Sequence, residues 1–249
     1  MQDMTLVGRR ALVTGGGSGL GAEIARSLAS AGAEVVVSGR QISSLTGLAI
    51  ESERMRPITV DVTDENSVRE LFAKAGPTDI VIANAGIVES SSFEATTLQS
   101  WNEIQSTNLA GVFLTLREGL RQMRGWGRLI AIASTAGLKG IPYAAAYCAS
   151  KHGVIGLVRS VAHEVARREV TVNAICPGYL DTEMTARTID RIASKTGLGA
   201  EAALERLARA NPQGRLIRTT EVAAAVLWLC GPGSEGINGQ AISISGGET

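Results

Sequence analysis

The chain has 249 residues, of which 45% are hydrophobic and 19% charged, and its 24 basic and 24 acidic residues leave no net charge. A balanced charge without a long basic run argues against a nucleic-acid-binding protein. No apolar stretch approaches the roughly 20 residues that a membrane-spanning helix needs. The start, MQDMTLVGRR, lacks the apolar core of a signal peptide, and the three cysteines show no metal-ligand spacing. These features predict a cytoplasmic protein with reduced thiols, no metal site, and no nucleic-acid or membrane partner.

Seven short apolar runs recur along the chain, each followed by a segment of helical character. Because the runs are apolar throughout rather than alternating, we expect parallel strands covered on both faces. Strand–helix alternation from end to end predicts one doubly wound α/β domain of the Rossmann type over residues 1–249, with a seven-stranded parallel sheet. Residues 181–215 are predicted to add two short helices joined at 195–199. The predicted strands are 11–15, 34–39, 57–61, 79–86, 128–134, 170–178 and 241–247.

A glycine-rich turn, TGGGSGLG (14–21), separates the first predicted strand from the first predicted helix. Glycines allow positive φ and close approach of a phosphate. A helix N-terminus offers unpaired N–H groups and the positive end of a dipole. Glycine-rich loops are common, but this placement predicts a dinucleotide site. The expected cofactor contacts in this turn are Gly15, Gly17, Ser18, Gly19 and Leu20.

The end of the second run distinguishes the two nicotinamide nucleotides. A carboxylate there would bind the adenosine ribose and repel a 2′-phosphate. This chain has Ser38, Gly39 and Arg40 instead, and a guanidinium can bind a phosphate through two parallel hydrogen bonds. The pattern favours NADP(H). A solvated Arg40 and an NAD(H) protein remain the alternative.

Polar and small residues also follow the other predicted strands. The carboxyl ends of parallel strands share one edge of the sheet, where ligands bind. The convergence of these residues on one edge is stronger evidence for a ligand site there than any single motif. The residues are Asp61, Val62, Asn84, Ala85, Gly86, Ser134, Pro177 and Gly178.

Tyr147 and Lys151, four residues apart in YCASK, would present a phenol and an ammonium on the same side of a helix. A neighbouring ammonium and the positive nicotinamide of an oxidised cofactor both favour phenolate, so we expect the tyrosine pKa to lie below its usual value of about 10. In isolation, a packing tyrosine and a surface lysine would be the default interpretation. The other motifs argue for proton chemistry.

These motifs together resemble the short-chain dehydrogenase/reductase family in its compact, single-domain form, over nearly the whole chain. The family's T-G-x-x-x-G-x-G, N-N-A-G, Y-x-x-x-K and P-G-x-x-x-T motifs all have counterparts, with Ala83 in place of the first asparagine of N-N-A-G. Ser134 precedes Tyr147 by the family's usual 13 residues. The matching residues are Thr14, Gly15, Gly19, Gly21, Asn84, Ala85, Gly86, Asn108, Ser134, Tyr147, Lys151, Pro177, Gly178 and Thr182.

The resemblance implies a catalytic group of Asn108, Ser134, Tyr147 and Lys151. Tyr147 would be the general acid/base, Ser134 would hold the substrate oxygen, and Lys151 would also bind the nicotinamide ribose. Asn108 would serve a water-linked proton relay, although an asparagine that only ties a helix to a strand is equally compatible.

The resemblance also implies further contacts. Tyr147, Lys151, Leu180 and Thr182 would join the cofactor contacts named above. Ser134, Tyr143, Tyr147 and Tyr179 would contact the substrate, with ordinary core packing an equal alternative for Tyr143 and Tyr179. Residues 181–215 would cover the substrate.

The substrate class follows from the members that the chain most resembles, reductases of 3-oxoacyl thioesters and 3-hydroxybutyrate dehydrogenases. We expect hydride transfer between NADP(H) and a 3-oxoacyl/3-hydroxyacyl substrate. The alternatives are an NAD-dependent dehydrogenase of a small hydroxy acid or other secondary alcohol and, more remotely, a non-catalytic redox sensor. The resemblance further implies a homotetramer or homodimer.

Overall fold

Seven parallel strands form a single sheet in the order β3-β2-β1-β4-β5-β6-β7. The computed structural model describes residues 5–197 and 199–249, so residues 1–4 and 198 of the predicted domain lie outside it. The order reverses between β1 and β4, which is where doubly wound folds bind ligands. The predicted fold class is confirmed. The strands are β1 (Arg10–Thr14), β2 (Glu34–Gly39), β3 (Met55–Thr59), β4 (Ile80–Ala83), β5 (Gly127–Ile132), β6 (Val170–Pro177) and β7 (Ala241–Ile244).

Helices cover both faces of the sheet, and the sheet separates two apolar layers. Ala11 and Val13 of β1 pack with α1, α2 and α9, whereas Leu12 packs with α3, α5 and α6. Successive strand residues point to opposite faces, so a strand buried on both sides must be apolar throughout. The helices are α1 (Gly19–Ser30), α2 (Ile42–Ala49), α3 (Glu65–Ala75), α4 (Leu98–Gln105), α5 (Gly111–Gln122), α6 (Ala145–Val165), α7 (Glu183–Thr196), α8 (Ala200–Ala208) and α9 (Thr219–Cys230).

Six of the seven predicted strands extended too far at their carboxyl ends, β1 and β6 by one residue, β3 and β5 by two, and β4 and β7 by three. β3 ends at Thr59, and the following Asp61 carboxylate instead accepts hydrogen bonds from the Thr63 N–H and hydroxyl. β4 ends at Ala83, because the Asn84 side chain bonds to the backbone of the glycine-rich turn. β7 ends at Ile244, before the positive-φ glycines Gly246 and Gly247. Side-chain hydrogen bonds to the backbone end strands that apolar content alone would extend.

Two helices lie within residues 181–215, α7 and α8, and Gly197 between them has φ of 73°. Among the described residues, none of the helices combines the length and apolar composition needed to cross a bilayer. In the same part of the chain, no cluster of three or more His, Cys, Asp or Glu side chains could hold a metal ion.

Candidate active site

The glycine-rich turn is held to the end of β4 by one side chain. Asn84 Nδ2 donates to the carbonyls of Thr14 (3.0 Å) and Gly15 (3.1 Å). In return, Thr14 Oγ1 accepts from the backbone N–H groups of Asn84 (3.1 Å) and Ala85 (3.3 Å). Gly15 has φ of 64°, and a Cβ on Gly21 would lie 2.1 Å from the Gly15 carbonyl oxygen. The turn therefore requires glycine at both positions, and it forms a rigid cradle at the switch point.

The amino end of α1 adjoins this cradle. The Ser18 side chain makes no capping hydrogen bond, and the first turn contains no acidic residue. The orphan N–H groups and the positive helix end are thus left available to an anion. The Leu20 side chain is buried in the core, so only its backbone could contact a ligand.

Arg40 lies exposed just beyond β2, at the same edge. Hydrogen bonds from Thr63 chiefly lower the pKa of Asp61, and the positive charge of Arg40 lowers it further. Arg40 and Asp61 are therefore electrostatic neighbours, as their predicted positions after β2 and β3 require. The Val62 side chain is buried instead and packs against Gly111 of α5.

Tyr147, in the first turns of α6, lies close to Ser134, which follows β5. Burial raises the pKa of Tyr147 to about 12, and the Ser134 hydroxyl opposes this by favouring the phenolate. In the protein alone the pKa of Tyr147 is therefore raised, and the expected depression, which counts the charge of an oxidised nicotinamide, stays a prediction for the complex with cofactor. Desolvation of the phenolate is the largest cause of the shift.

Lys151 extends beneath the tyrosine and is only 3% exposed. Its Nζ donates to the Ile132 carbonyl at the end of β5 (2.8 Å) and lies 5.6 Å from the centroid of the Tyr147 ring. Desolvation lowers the pKa of Lys151 to about 8. The interpretation of Lys151 as a solvated surface charge is thereby excluded.

Asn108 is fully buried in a π-helical turn, Ser106–Ala110, between α4 and α5. Its Oδ1 accepts from the Ile87 N–H (2.8 Å), while Nδ2 donates to the Ile87 carbonyl (2.9 Å) and to Ser150 Oγ (3.2 Å). A Cβ on Gly86 would lie 3.3 Å from Asn108 Oδ1 and 3.7 Å from Lys151 Nζ. Asn108 thus ties the helix to the segment after β4, beside the lysine. The sequence shows nothing of the π turn, because its apolar spacing is that of a regular helix.

Comparison with known proteins finds relatives over nearly the whole chain. A family model described as enoyl-(acyl carrier protein) reductase matches residues 15–249. D-beta-hydroxybutyrate dehydrogenase of Rhizobium meliloti is 36% identical, over 97% of this chain and 98% of its own. The 3-oxoacyl-(acyl-carrier-protein) reductase of Aquifex aeolicus is 33% identical, over 98% of this chain and 99% of its own. The chain belongs to the short-chain dehydrogenase/reductase family. A crystal structure of a variant actinorhodin polyketide ketoreductase with NADPH superposes with a TM-score of 0.91 at 35% identity, covering 96% of this chain and 97% of that one.

As a short-chain dehydrogenase/reductase, the chain is an oxidoreductase, and the family resemblance is confirmed. Tyr143, just before α6, is 70% exposed with φ of 63°, which excludes the core alternative for this residue. A positive φ is strained for a tyrosine, and such strain is found most often at functional sites. Tyr179 is half-buried, and burial followed by the charge of Glu248 raises its pKa.

The two-helix insertion of this dehydrogenase/reductase borders a cavity of about 410 Å³. Its walls include Thr182, Ile189 and Leu204 from the insertion, together with Arg215. Thr182 also approaches the cofactor cradle, since a Cβ on Gly19 would lie 3.6 Å from Thr182 Cγ2. Pro177 ends β6, and Leu180 pairs with Ile217 at the base of the insertion.

Sequence reasoning missed two charged residues near the site, Lys139 and Glu248. The Glu248 side chain is only 4% exposed, and its Oε1 lies 2.8 Å from Lys139 Nζ. A glutamate that follows two glycines resembles any solvated loop carboxylate. No local signal could have shown that it is buried.

Proposed function

We propose that the protein reduces 3-oxoacyl substrates, carried as thioesters, to 3-hydroxyacyl products with NADPH, and catalyses the reverse oxidation. The observation that carries this proposal is the juxtaposition of Ser134, Tyr147 and Lys151 at the carboxyl edge of the sheet, beside a glycine cradle. The names of the relatives, a 3-oxoacyl-(acyl-carrier-protein) reductase and a D-beta-hydroxybutyrate dehydrogenase, support the acyl substrate.

The cradle fits a dinucleotide. Gly15 and Gly21 allow the backbone to approach closely, and the unblocked start of α1 suits a pyrophosphate. The exposed guanidinium of Arg40 suits a 2′-phosphate, and a solved relative was crystallised with NADPH. The residues that we propose hold NADP(H) are Gly15, Gly17, Ser18, Gly19, Leu20, Arg40, Asp61, Val62, Asn84, Ala85, Gly86, Tyr147, Lys151, Pro177, Gly178, Leu180 and Thr182, with Leu20 and Val62 acting through their backbones.

When bound, the nicotinamide supplies a hydride to the carbonyl carbon. Tyr147 gives its phenolic proton to the carbonyl oxygen, and a pKa of about 12 keeps that proton in place at neutral pH. The Ser134 hydroxyl donates to the same oxygen and holds it beside the phenol. The Lys151 ammonium, with one proton bound to Ile132, keeps two donors for the nicotinamide ribose. We propose Asn108 as the positioning residue behind Lys151, and Tyr143 and Tyr179 as substrate contacts.

The second candidate is NAD-dependent oxidation of a small hydroxy acid. It is favoured by the 36% identity to D-beta-hydroxybutyrate dehydrogenase. Arg40 argues against it, because NAD carries no 2′-phosphate to pair with an exposed guanidinium.

We also propose a homotetramer or homodimer located in the cytoplasm. β7 lies at one edge of the sheet with all four of its residues only partly buried. An uncovered edge strand is a ready site for a second copy of the chain. Buried, reduced Cys176 and Cys230 suit a reducing compartment.

The test is nucleotide oxidation by the purified protein with NADPH or NADH and, in turn, acetoacetyl-CoA, acetoacetate and a simple cyclic ketone. We expect NADPH-linked reduction of the thioester to be the fastest. Tyr147→Phe should lower kcat by about 100-fold or more, as the loss of a general acid does. NADPH binding by that variant, measured by fluorescence, should stay within about threefold because the phenol donates chiefly in the chemical step. Unchanged turnover in Tyr147→Phe would refute the catalytic assignment.

A further inference from the structure

The turn that follows β7, residues 245–249, meets three other parts of the active-site edge. A Cβ on Gly246 would lie 1.9 Å from Asn211 Oδ1, and one on Gly247 would lie 3.5 Å from Pro212. Both contacts are with the segment after α8, at the base of the insertion. Glu248 reaches the other two parts. The turn is thus packed too closely for its carboxylate to move freely.

The first part that Glu248 reaches is the loop between Ser134 and α6. Its Oε1 forms an ion pair of 2.8 Å with Lys139 Nζ. The Lys139 backbone N–H donates to the Thr135 carbonyl (3.0 Å), so the lysine is fixed to the turn that begins at the proposed substrate-holding serine. Lys139 thus lies in the loop that leads from Ser134 to α6.

The second part is the loop after β6. Glu248 Oε2 would lie 3.1 Å from a Cβ on Gly178, which places the oxygen directly against the backbone beside Tyr179. That oxygen is buried and has no hydrogen-bond partner among residues 5–197 and 199–249. Burial raises the pKa of the Tyr179 phenol, and the negative charge of Glu248 raises it further.

The Glu248 carboxylate is buried, but only one of its two oxygens has a partner among the described residues. Burying a charged group is costly unless its partners are complete, and an unsatisfied buried atom in a folded protein calls for an explanation. Packing alone would be served as well by a neutral side chain of the same size. The carboxylate does two things that a neutral group would not. It pairs with the Lys139 ammonium, and its second oxygen, which has no hydrogen-bond partner among the described residues, adds negative potential beside Tyr179.

We propose that Glu248 is a specificity-determining residue that excludes ketones bearing a free carboxylate beside the reacting carbonyl and admits neutral acyl groups. A 3-oxo acid would need a free cation near its carboxylate. Here the Lys139 cation is neutralised, and the second oxygen of Glu248 repels the acid. A thioester presents no charge at that position. The inference rests on the proposed ketone reduction and names the substrate class that the same site selects.

The experiment compares two substrates in matched variants. The wild-type protein and Glu248→Gln are assayed with NADPH on acetoacetate and on the uncharged N-acetylcysteamine thioester of acetoacetate. Glutamine keeps the size and an acceptor for Lys139 but removes the charge. We expect wild type to favour the thioester in kcat/KM by at least about tenfold. The acetoacetate/thioester ratio of kcat/KM should rise about tenfold in Glu248→Gln, which corresponds to about 1.4 kcal/mol of lost repulsion.

Two further variants separate specificity from stability. Lys139→Met should lower the acetoacetate/thioester ratio, because it leaves the Glu248 charge uncompensated. The double variant, Lys139→Met with Glu248→Gln, should not show the rise in the acetoacetate/thioester ratio seen in Glu248→Gln alone. That rise depends on the Lys139 ammonium, which the charge of Glu248 no longer neutralises. Glu70→Gln is the control, since Glu70 on α3 is an exposed carboxylate paired with Lys74 (3.2 Å). Its ratio should match the wild type within twofold, which is about the accuracy of such ratios.

The outcomes distinguish the inference from the function on which it rests. If the thioester is reduced but the ratio is the same in wild type, Glu248→Gln and Lys139→Met, the specificity role is wrong and the proposed function survives. Equal wild-type activity on both substrates would have the same meaning. Reduction of neither substrate would overturn both. If Glu248→Gln does not fold, the opposite shift expected for Lys139→Met decides alone.

Discussion

Tyr147 and Lys151 are each held in the environment that disfavours their charged form. Burial raises the pKa of Tyr147 to about 12 and lowers that of Lys151 to about 8. Lys151 remains paired with the Ile132 carbonyl, a neutral acceptor that does not complete its solvation. At neutral pH the pair thus stores a phenolic proton next to an ammonium. That is the protonation state required for reduction of a ketone.

Arg40 is the residue through which nucleotide preference can be tested. Arg40→Asp should weaken NADPH binding about 10- to 100-fold, because a charge-assisted hydrogen bond of about 1.5–3 kcal/mol is replaced by repulsion. NADH binding should stay the same or improve, since a carboxylate can accept from the ribose hydroxyls. The measurement is the Kd of each nucleotide by fluorescence titration.

The matched control for Arg40→Asp is Arg124→Asp. Arg124 is equally exposed, but it precedes β5 and so lies at the opposite edge of the sheet. The Arg124→Asp substitution changes the net charge by the same amount as Arg40→Asp but leaves the proposed phosphate site unaltered. Equal loss of NADPH affinity in the two variants would mean that Arg40 acts only through net charge.

At the scale of elements, α9 depends on a carboxylate in its first turn. Glu221 accepts from the backbone N–H of Arg218 (2.8 Å), which precedes the helix, and pairs with the Arg215 guanidinium (2.7 and 2.8 Å). Hydrogen bonds from Arg215, then from Arg218, lower the pKa of Glu221 to about 2. α9 packs on α1 in the layer that contains Val222 and Val226. The carboxylate therefore stabilises one whole face of the sheet.

Glu221→Gln should destabilise the protein by about 1 kcal/mol at neutral pH, the usual value of a helix cap. The folded pKa of about 2 lies below the ordinary value of 4.5, so the contribution is present above pH 4.5 and is lost as the pH falls towards 2. Urea unfolding at several pH values should show the wild-type advantage shrinking over that window. Glu70→Gln, an exposed carboxylate paired with Lys74, should have a smaller effect. A difference that is independent of pH would exclude the ion pair as its cause.

Parts of the fold and site that depend on local pattern could be predicted. Continuous apolar runs specify parallel strands, and parallel strands bring Asn84, Ser134 and Pro177 to one edge whatever their spacing in the chain. Parts that depend on distant neighbours could not. The Tyr147 pKa is set by burial from several elements, and Glu248 meets Lys139 only because β7 ends where it does. The π turn at Asn108 is likewise stabilised by Ile87 and Ser150 rather than by its own sequence.

Over the whole molecule, the two faces of the sheet serve different parts of the site. The face with α1, α2 and α9 carries the glycine-rich turn that we propose binds the nucleotide, and the other face, with α5 and α6, carries Asn108, Tyr147 and Lys151. The two meet where the strand order reverses, and Asn84 and Gly86 at the end of β4 contact both. The proposed catalytic residues and the proposed nucleotide site are thus joined through one strand end.

This arrangement predicts opposite pH dependence for the two directions of the reaction. Reduction uses the protonated phenol, which is nearly fully populated up to about pH 10 when the Tyr147 pKa is about 12. Its kcat/KM should therefore be flat from pH 6 to about 7 and fall at higher pH, because Lys151, with a pKa of about 8, loses its proton there. Oxidation of the alcohol needs the phenolate, a small fraction at neutral pH. Its kcat/KM should rise about tenfold per pH unit until Lys151 titrates, and then more slowly.

The measurement is kcat/KM against pH in both directions, with NADPH and the ketone in one and NADP and the alcohol in the other. Tyr147→Phe provides the control, because any residual activity should lack the rising limb. An oxidation rate that is already flat between pH 6 and 8 would show that Tyr147 is ionised near neutrality. In that case the charges brought by the nucleotide, together with Lys151, would outweigh the desolvation that dominates in the protein alone.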